Sequence, residues 1–388
     1  MKRFGVPLIA GLTLFIFVFA NTVALRLLLL AILLVMAIVH YARERPPLPS
    51  FIWIFFGLCL FALSSMWWSV DPAMTLKEVK NEFIYTFLAF FSFYVLAKRD
   101  DVLVAGLTGF ALAAITMVGL VLGGYIAENM WLYRNYQGGV GNYSTFVIAA
   151  VPILMYLIWR VGGVWQRAIL VLVLVGLLVA GFWTLNRALW PALLVESLVA
   201  AALLASRLPK KYVLGGAAVA LVVGGFVWVK SVEVRTGGLQ IEEMVLSDPR
   251  MPLWDVAEDA IDERPLLGVG FGRGAFGKAY GDRPGSRGDH AHNLFLNRAV
   301  QLGLVGLALT VALLGSVGKA LWRTFRSHPG EAVSWLAAAG LVYLVGLLAK
   351  NMTDDFFIRE VSLLFWAIMG LILGAARRRS AVEATPNP

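Results

Sequence analysis

The sequence is short of charge, of cysteine and of histidine, and each shortage narrows what the chain can be. Only 15% of its 388 residues are charged, 60% are hydrophobic, and the mean hydropathy is +0.78. A soluble domain carries about a quarter charged residues, so that class is excluded. The apolar stretches are long and continuous rather than short and alternating, which excludes a β-barrel and leaves an all-α integral membrane protein. Cys59 is the single cysteine and lies inside an apolar run, so no internal disulfide is possible and the redox compartment is not legible. The basic excess, +9 overall, is scattered over many short loops. That argues against nucleic acid and for anionic lipid headgroups or an anionic substrate. The run GVGFGRG is a weak nucleotide-site signal, because it does not open a helix in a strand–turn–helix unit. Neither a cofactor nor a metal is expected.

What is present is a series of about twelve hydrophobic spans: 5–20, 24–40, 51–69, 81–97, 102–124, 143–159, 168–184, 190–206, 212–229, 293–318, 332–349 and 357–376. Together they make one polytopic membrane domain over residues 1–388. The MKR start and the small residues near Ala20 and Ala24 resemble a signal peptide, but an uncleaved span is preferred because the charge count then works. With both termini inside, Arg43, Arg45, Lys98, Arg99, Lys210, Lys211, Arg323, Arg326 and Arg377 to Arg379 all fall on the inner face. The short outer loops carry far fewer basic residues. An even span number then puts the longest loop, 230–291, outside. Within it Ser247 and Asp248 are candidate N-caps with Pro249 at the first helical position. The run PRMPLWDVAEDAIDER predicts a helix stopped by Pro265, with Leu253, Trp254, Ala257, Ala260 and Ile261 on one face, lying apolar side down on the membrane. Residues 268–277 read as a flexible glycine-rich turn and 380–388 as a disordered tail.

The outer polar residues need an account. Arg187, in the tight turn FWTLNRALWPA, either snorkels to headgroups or holds a phosphate with its guanidinium fork. Arg250 starts the outer helix; it is either a solvated arginine or, with Trp254 one turn on, aimed at the same zone. His290 and His292 are half of the chain's four histidines and flank one alanine at the mouth of a span. An imidazole there can take a proton at neutral pH, and Asp289 could fix a nearby ring in one tautomer. A capping histidine and a metal ligand are the alternatives, the latter disfavoured because Asp289, His290 and His292 offer at most three ligands in one short cluster. Lys77 and Lys80 are either interfacial anchors or further positive charge for an anionic head. Asp354 and Asp355 either orient an arginine or cap a helix. Glu196 is the main mid-span charge, with pairing inside the bundle as its ordinary reading. Arginines at lipid-head depth suit a lipid-linked pyrophosphate, and a histidine beside them suits deprotonation of an incoming hydroxyl. The implied chemistry is metal-independent group transfer from a lipid pyrophosphate to an alcohol.

The run SDPRMPLWDVAEDAIDERPLLGVGFGRGAF followed by HNLFLNRAVQLG resembles the O-antigen ligase and polymerase superfamily of bacterial envelope glycosyltransferases. The resemblance is carried by Arg250, Trp254, Pro265 to Gly270, His292, Asn293 and Gly303, with TLNRALW supplying Arg187. It implies a GT-C-like bundle in the bacterial inner membrane with a periplasmic site. It further implies a monomer that transfers undecaprenyl-pyrophosphate-linked polysaccharide to a hydroxyl of the lipid A core, with inversion. Carried over, Arg187 and Arg250 grip the pyrophosphate and His292 is the base. Lys77, Lys80, Trp254, Asn293, Asp289 and His290 are the substrate-binding candidates, although His290 departs from the family pattern. A polymerase of the same superfamily ranks second, because only one long outer loop is present. A protein O-oligosaccharyltransferase ranks lower, because the tail after AARRRS is short. A transporter or flippase for an anionic lipid is the reading from another class, disfavoured by the near absence of mid-span charge.

Overall fold

A computed structural model describes residues 5–126, 138–205, 207–236, 250–285, 288–355, 357 and 359–383. All regular structure among the described residues is helical, with no strand. The main helices are α1 (Gly5–Phe17), α2 (Val23–Glu44), α3 (Phe51–Ser64), α4 (Pro72–Val79), α5 (Tyr85–Leu96), α6 (Asp100–Ile126), α7 (Gly139–Arg160), α8 (Val164–Trp183), α9 (Leu189–Ala205) and α10 (Lys210–Thr236). Then follow α11 (Met251–Glu263), α12 (Ala275–Tyr280), α13 (Leu294–Ser327), α14 (Ala332–Lys350) and α15 (Arg359–Glu383). Eight helices are long and apolar enough to cross a membrane. The shorter apolar helices Gly5–Phe17, Phe51–Trp67 and Leu189–Ala205, with the α4–α5 run, stand where the remaining spans were expected. The chain is an all-α integral membrane protein.

Packing sorts these helices into inner and outer ones. α7, α14 and α15 are sunk in the bundle, whereas α2, α8 and above all α10 show their apolar side chains outward. Without a hydrophobic drive between helices in lipid, close backbone approach must hold the bundle together. α15 lies against α5 in this way: a Cβ on Gly370 would stand 2.4 Å from the Phe90 carbonyl oxygen, and one on Gly374 equally close to that of Tyr94. Phe55 and Phe90 meet the Trp366 ring edge-on, and Phe51 lies tilted beside it.

α10 runs on to Thr236, into the stretch read as the start of the long loop 230–291. The N-cap candidates Ser247 and Asp248, with Pro249, lie outside the described residues, and the helix starts at Met251 with Arg250 in the cap position. Nor is the apolar face of α11 free for a membrane. Leu253, Val256, Ala257 and Ala260 are buried in a small second core with Val269, Ala275, Phe276, Tyr280, Ala291 and Val300. The protein's own chain covers the face that was expected to lie on lipid.

Candidate functional site

The site is built around a break in α13. Gly303 adopts φ 64°, ψ −173° in the middle of that helix, which interrupts the i→i−4 ladder. The segment Pro265–Gly270 repairs the damage. Val269 and Gly270 donate to the carbonyls of Val300 and Gln301, and the freed Leu304 N–H donates to Pro265. The backbones approach so closely that a Cβ on Gly303 would stand 2.1 Å from the Leu266 carbonyl oxygen, and one on Gly268 2.4 Å from that of Val300. Next along, Phe271 N–H donates to Ser65 Oγ at 2.9 Å and its carbonyl accepts from Thr75 at 2.7 Å. The glycine run is thus a pinned strap, not the flexible turn the sequence suggested.

The strap and α11 together fix the Asp-His-Ala-His turn. Ala291 is fully buried. Its carbonyl accepts from the Trp254 indole at 2.9 Å, and its N–H donates to Asn297 Oδ1 at 3.2 Å. Asn293 caps α13 by accepting from the N–H groups of Phe295 and Leu296, so its side-chain oxygen is already engaged. With the peptide between them clamped on both sides, the two imidazoles lie 4.1 Å apart between centroids. His292 itself is held at φ 50°, a left-handed conformation uncommon outside glycine.

The two rings have different partners. His290 is buried, and its Nε2 lies 3.0 Å from a guanidinium nitrogen of Arg273. Arginine only donates, so the ring nitrogen accepts and the proton sits on Nδ1. Burial first, then Arg273, His292 and Arg250, push this imidazole down to about 3, with only Asp354 opposing. His290 is therefore neutral, engaged through Nε2, with its Nδ1 buried and without a hydrogen-bond partner among the described residues. His292 keeps about a third of its side chain exposed, while its Nδ1 is turned inward to Asp354 Oδ1 at 3.7 Å. That spacing is longer than a formed hydrogen bond, as is common before a substrate is seated. Asp354 is held from behind by Lys350 Nζ at 3.1 Å, and that lysine is fully buried. Burial alone would raise the Asp354 carboxyl, but Lys350, the His292 ring and Arg250 outweigh it and hold it at about 2. Asp355, beside it, bonds the Asn297 amide, and burial raises its carboxyl.

Arg250 is half-buried and its field acts on both His290 and Asp354, so these groups share one site. Arg187 is half-buried in the turn between α8 and α9. Its neighbour Asn186 pins that turn by bonding Ser144 Oγ and the Ala188 N–H. α9 packs along α14, with Glu196 against Gly346. Farther along α9, Leu203 and Leu204 share a cavity with Trp335 and Ala338 of α14, so the two helices run antiparallel and the Arg187 turn lies at the same end of the bundle as Asp354, about two and a half helical turns from Glu196. Lys77 and Lys80 stay exposed on α4 and its extension, where Lys80 lies 6.0 Å from the Tyr85 ring. Asp289 is exposed, and its backbone carbonyl accepts from Gly277, so the carboxylate facing a ring is Asp354 rather than Asp289. Asp289, His290 and His292 do not converge as metal ligands, and no group of three or more such side chains does among the described residues.

Residues 174–311 match the family described as O-antigen ligase. No curated protein matches the chain. The O-antigen ligase stretch contains Arg187, Arg250, the strap, both histidines and the break at Gly303, and so bears out the resemblance to the ligase and polymerase superfamily. It ends before Lys350, the last residue of α14, and Asp354, in the loop beyond it, which complete the histidine site. No role was read from the sequence for Arg273 or Lys350. Arg273 sat in a glycine run read as a loop, and Lys350 counted only among the few basic residues of the short outer loops and helix edges.

Proposed function

We propose that this chain is an O-antigen ligase of the bacterial inner membrane, with its site on the periplasmic face. It transfers polysaccharide from undecaprenyl pyrophosphate to a hydroxyl of the lipid A core. One observation carries the reading: an inward-facing Nδ1 of His292 set against Asp354, itself locked by a buried Lys350, beside Arg250. A carboxylate at Nδ1 keeps the proton there and leaves Nε2 as the acceptor. In the proposed step, Nε2 of His292 takes the proton of the acceptor hydroxyl while its oxygen attacks the anomeric carbon from the face opposite the leaving group. The bond from that carbon to the pyrophosphate oxygen breaks, inverting the centre. The electron pair leaves on the lipid pyrophosphate, whose growing charge Arg250 and Arg187 stabilise. His290 and Arg273 form the fixed wall of the site, and Trp254 and Asn293 shape it rather than touch the donor.

The test is a gel assay with purified protein in detergent, lipid-linked polysaccharide and lipid A core. Joined product from wild type, lost in His292→Ala and Arg187→Ala and indifferent to EDTA, supports the ligase. Longer glycan on the lipid carrier, with no core product, would replace it with the polymerase. If neither forms while labelled carrier crosses proteoliposomes, transport is the right class.

A further inference from the structure

Between α7, α9, α10 and α14 lies a cavity of about 550 Å³. That is within the size range of small-ligand pockets, roughly 300–1,000 Å³. Its lining is apolar, with Tyr156, Trp159, Ala200, Ala217 and Trp335 among the walls. It opens sideways, because α10 packs chiefly on α9 and because Met155 and Trp159, on the α7 rim, remain about half exposed. The cavity runs along α14 from Trp335, roughly 20 Å of helix away from Lys350, to Glu196, which packs against Gly346 about one turn from Lys350.

One lining residue does not fit an empty apolar hole. Glu196 is 2% exposed, and neither Oε1 nor Oε2 has a hydrogen-bond partner among the described residues. The pairing expected for it within the bundle is not there. Gly346 closes one side of it, where a Cβ would stand 2.3 Å from Oε1, and the carboxyl lines the cavity on another. A buried carboxyl without a donor is costly in a protein interior and more so in a bilayer. A hydroxyl supplies one donor and would leave the second oxygen orphaned. An ammonium supplies three donors and the opposite charge. The rest of the lining calls for hydrocarbon.

We propose that this cavity binds a membrane-borne aliphatic amine, with its ammonium on the Glu196 carboxylate and its chain along the Tyr156, Trp159 and Trp335 wall. The test uses the purified full chain in detergent, titrated with dodecylamine, dodecanol or dodecane and followed by tryptophan fluorescence. Dodecylamine should saturate wild type at a concentration at least about tenfold below the other two, the size of one charge-assisted bond. Glu196→Leu and Glu196→Gln should erase that preference, and Ala217→Phe should weaken all three ligands. Without ligand, Glu196→Leu should melt at or above the wild-type temperature, so lost preference is not lost fold. Equal binding of the three probes to wild type would overturn the proposal, leaving an apolar hole only. So would a preference that survives in both Glu196 variants, which would mean surface adsorption of a cationic amphiphile.

Discussion

His292 and His290 differ in what their surroundings let them do. His292 faces a carboxylate that keeps its charge at any pH near neutrality, since Asp354 is held at about 2. Asp354→Asn keeps the shape but can offer the ring an N–H instead of an acceptor, which allows the wrong tautomer. We expect kcat to fall by about 10²–10⁴-fold with little change in KM, measured on the joined product under saturating donor. His290 carries a different signature. Its folded value of about 3 lies well below the 6.5 of a free imidazole. Between those values the unfolded chain binds a proton that the folded chain refuses, so the folded state loses stability as pH falls from about 6.5 towards 3. A melting series from pH 7.5 to 4.5 should fall for wild type and be flatter for His290→Ala. Asp354 does not interfere in that window, because its own loss begins only below its unfolded value near 3.8. A parallel fall in both proteins would refute the assignment of His290 as a buried neutral ring.

At the scale of elements, the helix break and its strap explain why the motif has its glycines where it does. Gly268, Gly270 and Gly303 all have positive φ, and at Gly303 and Gly268 the space for a Cβ is already taken by backbone. Gly303→Ala must move Pro265–Gly270 off α13, freeing the Val300 and Gln301 carbonyls. We expect loss of folded, monodisperse protein by fluorescence-detected size exclusion, or a melting drop corresponding to about 3 kcal/mol or more. A Gly303→Ala protein that melts like wild type would show that the strap is not structural. The spacing of Pro265 to Gly270 and Gly303 was readable in the sequence as a pattern, but its reason was not, because the hydrogen bonds run between segments with no periodic relation. For the same cause the histidine turn was legible while its partners were not. Asp354 could be named as a candidate, yet nothing in its local sequence connects it to His292, and Asp289, three residues away, was the nearer guess. Amphipathic spacing gave α11 its apolar face correctly, but not its neighbour, which is protein rather than lipid.

At the scale of the whole molecule, the hydrophobic runs were almost fully legible, because a span must be long and apolar to cross lipid at all. What the runs hide is that some spans are interrupted. α4 passes into α5 through a π turn at Lys80–Ile84, and there Glu82 pairs with Arg298 at 2.6 Å, two buried charges from distant parts of the chain. Orientation rests on the asymmetry of Lys and Arg between the two faces, and it decides whether the histidine site meets the periplasm. The single cysteine makes this testable directly. In a Cys59→Ala background, Asp282→Cys probes the exposed loop after α12 and Pro329→Cys the exposed turn between α13 and α14. These positions flank the long helix α13 and must lie on opposite faces if that helix crosses the membrane. With a membrane-impermeant maleimide on intact cells, Asp282→Cys should label and Pro329→Cys should label only after permeabilisation. The reverse pattern would put His292 and Asp354 in the cytoplasm, where no assembled lipid-linked polysaccharide awaiting ligation could reach them, and the proposed reaction would fall with the orientation.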